Sequence, residues 1–324
     1  VIENKGKLKK TIQNITEKTQ GLFISILILV VLLVISACFI PRVFQLKNLE
    51  NLLRTYAPGG IVAVGLSLVI LTGEIDVSVG AIMTLAMAVA AKIYDISEPA
   101  AIAAICCTGA AAGFLNGCLI TNTKVPSLML TIGTTSVFNG LAAILVRAQK
   151  KYITDLYHIT LTLAKGSIFG IPIPLLLCVA LAFMFEFMLR KSAFGKKIYY
   201  TGANKRASWM SGVDISRIKI ICFTVSGLLA AIAALLMSGQ LGSSTVQLGN
   251  GYEVTAISIA VLGGISLNGG KGTVIGTLLG FITMSLMQNM LAIAGFGTYV
   301  STTLKGVMII LVVYLYGLTV RKRA

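Results

Sequence analysis

Charge is scarce in this chain. Asp, Glu, Lys and Arg make up only 12% of its 324 residues, about half of what a soluble domain needs to cover its surface. That shortage excludes a soluble globular fold. Histidine is nearly absent: His158 is the only one, and the acid close to it in sequence is Asp155. A zinc site or a catalytic diad there lacks its second member. The six cysteines, Cys38, Cys106, Cys107, Cys118, Cys178 and Cys222, all lie in or beside apolar runs, and none forms a C-x-x-C pair. They read as small hydrophobes, not as metal ligands or disulfide partners. A Walker A motif is missing too. In the G-G-K-G at 269–272, Lys271 is followed by Gly272 and not by Ser or Thr, and the strand context of a phosphate-binding loop is lacking. These absences predict no catalytic residue, no metal, no cofactor and no ATP hydrolysis by this chain alone.

What is present is apolar. Hydrophobic residues are 56% of the chain, and 33 glycines are spread among them. Runs rich in Gly and Ala point to helices whose backbones approach closely in lipid. The expected fold class is all-α: a polytopic membrane protein with about ten transmembrane helices, some short or broken. The formal net charge of +16 invites a nucleic-acid reading, but the basic residues collect at the two ends and in one loop near residue 200. That is the placement of membrane flanks, and no nucleic acid is predicted as a partner.

The apolar runs place the spans. A tail at 1–21 precedes a first helix at 22–40, too long for the apolar part of a signal peptide and followed by Pro41 and Arg42. A basic linker, 42–54, leads to an apolar stretch at 57–72. The polar segment 73–80 cuts it, and a third helix resumes at 81–91. Further helices are predicted at 100–120, 128–146, 173–189, 218–238, 252–262, 273–292 and 302–318. The segments at 147–171 and 239–251 read as loops, and 319–324 as a tail. The transmembrane domain thus covers 22–318, with a basic loop at 190–217. Several runs fall short of the ~20 residues that cross hydrocarbon, as in membrane proteins whose broken helices line a cavity. With both termini inside, cytoplasmic segments hold eighteen of the 27 basic residues and external ones eight. This favours cytoplasmic termini, against the weight of Arg42, Lys47 and Arg54 outside.

Two features carry functional signal. Within 190–217, Asn204 can cap a short helix over 205–211, on which Ala207, Trp209 and Met210 form an apolar patch. Gly212 can stop it, and Asp214 or Ser216 can cap the next helix. Such a helix either lies on lipid or docks on a cytoplasmic protein. The second feature is acid at membrane depth. Glu74 and Asp76 interrupt an apolar region, which suggests a cavity, a cap or a surface loop. Asp76 can accept from amides opening the third helix, and Glu253 sits in a first turn, where a carboxylate is favoured. Uncharged polar groups, Ser67, Asn116, Thr131, Thr135, Ser136, Asn139, Ser258, Gln288 and Asn289, are scattered through the spans. As a group they suit a neutral hydroxyl-rich solute better than an ion, because no ring of like charge is present.

The sequence resembles the membrane-spanning permease subunit of bacterial ABC importers for ribose and related sugars, in the branch that includes xylose, arabinose, galactose and autoinducer-2 importers. The resemblance rests on T-G-E-I-D-V-S-V-G at 72–80, on G-Y-E-V-T-A-I-S-I-A-V-L-G-G-I-S-L-N-G-G-K-G at 251–272 and on Gly202, Asn204, Ala207, Ser211 and Gly212. It covers nearly the whole chain. One departure is Gly73-Glu74, where the family commonly has two glycines. The resemblance implies a multi-pass protein of the bacterial inner (cytoplasmic) membrane. It would work with cytoplasmic ABC ATPase subunits, a periplasmic or lipid-tethered sugar-binding protein and a second permease copy, as a homodimer. It assigns ATPase coupling to Gly202, Asn204, Ala207, Trp209, Ser211 and Gly212. Residues for the translocation path or gate are Glu74, Asp76, Ser78, Asn116, Asn139, Glu253 and Asn289. Alternatives are an autoinducer-2 or nucleoside permease of the same family, or a secondary transporter.

Overall fold

The second apolar run sets the centre of the molecule. The structure, a computed structural model, describes residues 23, 25–146, 151, 152, 157–244 and 248–321. The predicted tail at 1–21 and residues 322–324 lie outside these residues. Helix α1 (Ser25–Phe39) leads through a 3-10 turn, Pro41–Phe44, into α2 (Leu46–Leu71). Then come α3 (Val79–Ile93), α4 (Glu98–Asn122) and α5 (Ser127–Val146). The short α6 (His158–Lys165) precedes α7 (Ile173–Lys191), α8 (Ala193–Ala203) and α9 (Lys205–Met210). The chain continues with α10 (Ile215–Leu241), α11 (Tyr252–Leu262), α12 (Val274–Ile293) and α13 (Thr298–Arg321). Strand structure among the described residues is limited to two antiparallel pairings of two residues each, 151–152 with 243–244 and 167–168 with 171–172.

The fold is all-α and multi-spanning. Six helices, α2, α4, α5, α7, α10 and α12, are long and apolar enough to cross a bilayer, and α1, α3 and α11 are apolar but shorter. Every residue of α2 from Ala57 to Leu71 is buried, because α7, α10, α11 and α12 all pack against it. The other large junction is α10 on α4, α3 and α6. Outer faces are apolar, as lipid requires: Phe114 and Leu119 on α4, Met129, Ile132 and Ile144 on α5, and Phe183 and Phe187 on α7 are exposed.

Three sequence readings are corrected. The predicted basic linker at 42–54 is mostly helix: α2 starts at Leu46, and its charges sit on the helix surface, where Arg54 pairs with Glu50 one turn back at 2.6 Å. Pro58 lies inside this helix without ending it. Within the loop at 147–171, α6 forms because the Glu98 carboxylate of α4 accepts from the Ile159 and Thr160 amides, at 3.1 and 2.6 Å, and satisfies its opening turn. At the C-terminal end, α13 runs from Thr298 through Arg321, longer at both ends than the helix predicted at 302–318.

Segments assigned to one side of the membrane from sequence meet at one end of the bundle. The Gly270 amide donates to the Leu71 carbonyl at 2.9 Å, the Ile75 amide to Ser127 at 3.1 Å and the Tyr199 hydroxyl to the Gly272 carbonyl at 2.9 Å. Glu186, at the end of α7, accepts from the Val274 amide opening α12 at 2.8 Å and also pairs with Arg190. The opposite end joins α4 to α6 through Glu98, and α10 to α2 through Gln240, which donates to the Arg54 carbonyl at 2.7 Å.

Close backbone approach holds α4 to α10. Gly109, Gly113 and Gly117, one helical turn apart, bring α4 onto Gly227, Phe223 and Ile220 of α10. A Cβ at Gly113 would collide with the Phe223 carbonyl and sit 3.0 Å from the Thr224 Cα. Gly113→Leu is therefore expected to cost at least about 1–3 kcal/mol through overpacking. Gly140→Ala, with nothing within 4 Å of the added Cβ, should change little. Thermal unfolding of the purified protein in detergent compares the two. Equal midpoints would contradict this packing.

Candidate functional site

The three motif segments converge on one small patch of backbone. Helix α2 ends at Leu71, and the chain crosses 72–78 without helix before α3 begins at Val79. The end of α8 lies against this break at Gly202, and the turn after α11 closes over both at Gly269 and Gly270. No side chain fits at the contact. A Cβ on Gly202 would strike the Leu71 carbonyl and lie 2.5 Å from the Gly270 amide; one on Gly269 would lie 2.6 Å from the Gly73 Cα. Gly269 also has φ +80°, which side chains other than glycine rarely adopt. Tyr199, one turn earlier on α8, braces the junction by its bond to Gly272. Its phenol, pushed up to about 12 by burial and by the Glu186 carboxylate, stays a protonated donor.

From this junction projects α9. The Asn204 side chain caps it, accepting from the Ala207 amide at 2.9 Å. Gly212, at φ +76°, ends it in the left-handed region, and Asp214 caps α10 by accepting from the Arg217 amide at 3.0 Å. These features were legible in the sequence; α8, formed from the same basic loop, was not. Trp209 and Met210 are 71% and 74% exposed, on a helix otherwise held by Ser208, which is buried. Between α8 and α9 opens a cleft of about 500 Å³ lined by Lys196, Lys197, Tyr200, Ala203, Ala207 and Val213, with both lysines exposed. Ser211 donates back to the Ala207 carbonyl at 3.0 Å and closes the last turn.

The residues predicted from sequence for a path or gate do not form one cluster. Asp76, Ser78 and Asn116 do come together: one Asp76 oxygen accepts from the Ser78 amide at 2.9 Å and hydroxyl at 2.6 Å, and the Asn116 amide donates to the Ser78 hydroxyl at 2.7 Å. All three are fully buried. The carboxylate thus grips the residue that precedes α3 instead of the amides inside its first turn. Glu74 stands apart, on the α9 side of the break, bonded to Lys205 at 2.8 Å and to Lys219 at 2.7 Å. Burial works to raise its pKa, but hydrogen bonds from Lys205, Lys219 and Ser127 outweigh it and hold the group below the usual carboxylate value. Glu253 is half-buried, accepts from the Gly251 amide at 3.3 Å and lies beside Gly80. Asn289 exchanges side-chain bonds with Asn48 at 2.9 and 3.2 Å, which joins α12 to α2. Asn139 sits half-buried on α5, on a helix that also presents Gly133, Ser136 and Gly140 outward.

The family described as the branched-chain amino acid transport system / permease component matches residues 48–313. The chain belongs to this permease family. The permease is 36% identical to the ribose import permease protein of Bacillus subtilis over 89% of its own length and 90% of that relative. It is 34% identical to the ribose import permease protein of Escherichia coli K12, over 89% of the chain and 91% of the relative. The autoinducer 2 import system permease protein LsrC of Escherichia coli SMS-3-5 is 33% identical, over 91% of the chain and 86% of the relative. No solved structure matches it. These relatives bear out the resemblance to sugar-importer permeases read from the three motifs, and those motifs are the segments that the permease packs together at Gly202.

That packing tolerates no added atom, so Gly202→Ala should separate Leu71 from Gly270 while leaving the spans inserted. Solute uptake is expected to fall by about tenfold or more, with membrane abundance within twofold of wild type, a difference of about 1.4 kcal/mol or more at the junction. Uptake by membranes carrying equal amounts of the two proteins measures it. Unchanged uptake would show that the junction has slack.

Proposed function

We propose that this permease is the membrane-spanning subunit of an ATP-driven importer for a neutral monosaccharide such as ribose. The observation that carries the reading is α9: a capped six-residue helix, with Trp209 and Met210 uncovered, set directly on the junction of the three motif segments. An exposed aromatic on a rigid support is a good anchor once a partner buries it. The partner is a cytoplasmic ATPase, whose side chain enters the cleft between α8 and α9 while its acidic groups meet Lys196 and Lys197 at the rim. A sugar-binding protein delivers the solute from the other side, and a second permease copy completes the path. The outward-facing Gly133, Ser136 and Gly140 of α5, with Asn139 among them, line it. Alternating access follows: closure of the ATPase pair moves α9, and the permease pair changes which side it opens to. No chemistry occurs in this chain.

Ten spans and cytoplasmic termini complete the arrangement. The nine apolar helices among the described residues, α1–α5, α7 and α10–α12, together with the 24-residue α13 make up the ten, and the basic residues of 190–219 gather on the α9 side. Reporter fusions at residues 10 and 322 are expected to be active only in the cytoplasmic form; activity outside at either position contradicts the topology.

The docking reading is tested with Ala207→Glu, a change on an exposed face of α9 away from the membrane core. An unpaired charge buried at an interface costs several kcal/mol, so recovery of the ATPase with the purified variant should drop by about tenfold or more, and ribose uptake with it. Full recovery together with full uptake means that α9 is not the docking element. Uptake assays with ribose, arabinose and autoinducer 2 separate the sugar reading from its relatives' other solutes. Import of an amino acid in place of any sugar overturns it.

A further inference from the structure

Glu74 is a buried carboxylate with two lysines on one oxygen. It is 7% exposed. Its Oε1 lies 2.8 Å from Nζ of Lys205, at the start of α9, and 2.7 Å from Nζ of Lys219, in the second turn of α10. Lys219 is itself largely buried, its side chain 12% exposed, whereas that of Lys205 is 52% exposed. A charged group drawn out of water needs partners, and here the partners come from the two elements that flank the α9 turn. The other α9 bonds described close within the segment: Asn204 to Ala207, Ser208 to Asn204 and Ser211 to Ala207. The Lys205–Glu74 pair is the side-chain link that leaves it.

Beyond Glu74 the connection continues. The break that carries it hangs on the first two turns of α5 by two bonds, from the Ile75 amide to the Ser127 hydroxyl at 3.1 Å and from the Val77 amide to the Thr131 hydroxyl at 3.2 Å. Along its length α5 packs closely on α3 and touches α4 only slightly, with most of its surface outward. We propose that Glu74 is the positioning residue that makes α5 follow α9, through Lys205 on one side and Ser127 and Thr131 on the other. This rests on the reading of α9 as the ATPase-docking helix. A displacement of α9 reaches the break through a charge-assisted bond, and the break carries the head of α5 with it.

The test uses the full complex of permease and ATPase in proteoliposomes. Ser136, exposed on α5, is replaced by cysteine as a reporter, with the exposed Cys38 and Cys107 changed to serine. Its maleimide reactivity is measured with and without ATP, and ATPase recovery is measured in parallel. In the parent, ATP should change the reactivity by about fivefold or more, the lower end of ordinary coupling between sites. Glu74→Gln should reduce that change below about twofold while ATPase recovery stays intact. Lys205→Gln, made at a half-exposed site that does not threaten folding, should do the same. The double variant should be no worse than either single, because both remove one link. An unchanged ATP response in Glu74→Gln, additive losses in the double variant, or a parent with no response each overturns the proposal. So does loss of ATPase recovery in Glu74→Gln, which would make Glu74 a shaper of the docking face. If Glu74→Gln does not accumulate, Lys205→Gln alone decides. Failure of the docking reading is seen separately, as full ATPase recovery with Ala207→Glu.

Discussion

Hydrocarbon offers no hydrogen bonds, and the rest of this architecture follows from that. Backbone amides and carbonyls at membrane depth must find partners inside the protein. Helices solve the problem for themselves, but the partly buried stretches that end them at 72–78 and 263–272 are not helical and face the same demand. Their backbone is satisfied piece by piece. The Gly73 amide turns back to Ile70, the Ile75 and Val77 amides take hydroxyls from α5, and the Ser78 amide takes the Asp76 carboxylate. On the second segment, Ser266 bonds to Lys271, Gly269 to Ser266 and Gly270 to Leu71 across the junction. Most of these bonds close within each stretch or on α5, and the one from Gly270 to Leu71 ties the second stretch to the end of α2. The glycines are what let them come close enough.

Packing then divides the helices by role. Where no water drives apolar surfaces together, contact area and small residues decide which helices stay joined. Helix α10 joins α2 at Gly65 and α4 at Gly109, Gly113 and Gly117 through such contacts, and the three make the core. Outside it, α5 has large apolar side chains, Met129, Ile132 and Ile144, beside small and polar ones, Gly133, Ser136 and Gly140. Lipid suits the first set and gains nothing from the second. At about 100° per residue these positions interleave on a single outward stripe, so α5 exposes a mixed surface where α2 and α10 of the core expose little.

The sequence was most legible where local chemistry dominates. Asn204, Gly212 and Asp214 act within a few residues of themselves, so the boundaries of α9 follow from the residues at its own two ends. The long spans announced themselves by hydropathy. What the sequence hid was non-local. The start of α2 at Leu46 lies among charges that the helix carries on its surface, and a charge count reads these as linker. Helix α6 depends on a carboxylate in α4, about sixty positions earlier, and α8 was masked by its own lysines. The grouping of the buried polar residues was harder still. Asp76, Ser78 and Asn116 share one network, yet Asn289 bonds to Asn48, a pairing between helices that no spacing rule foretells.

Glu186 shows how such long-range pairing bears on biosynthesis. Its carboxylate closes the N-terminus of α12 through the Val274 amide, 88 residues further along the chain. A ribosome therefore releases α7 into the membrane well before α12 exists, and during that interval the acid lacks its eventual partner. Arg190, one helical turn on, supplies a counterion from the moment α7 forms. The pair engages one carboxylate oxygen from within α7 itself and leaves the second for the amide that the later helix brings.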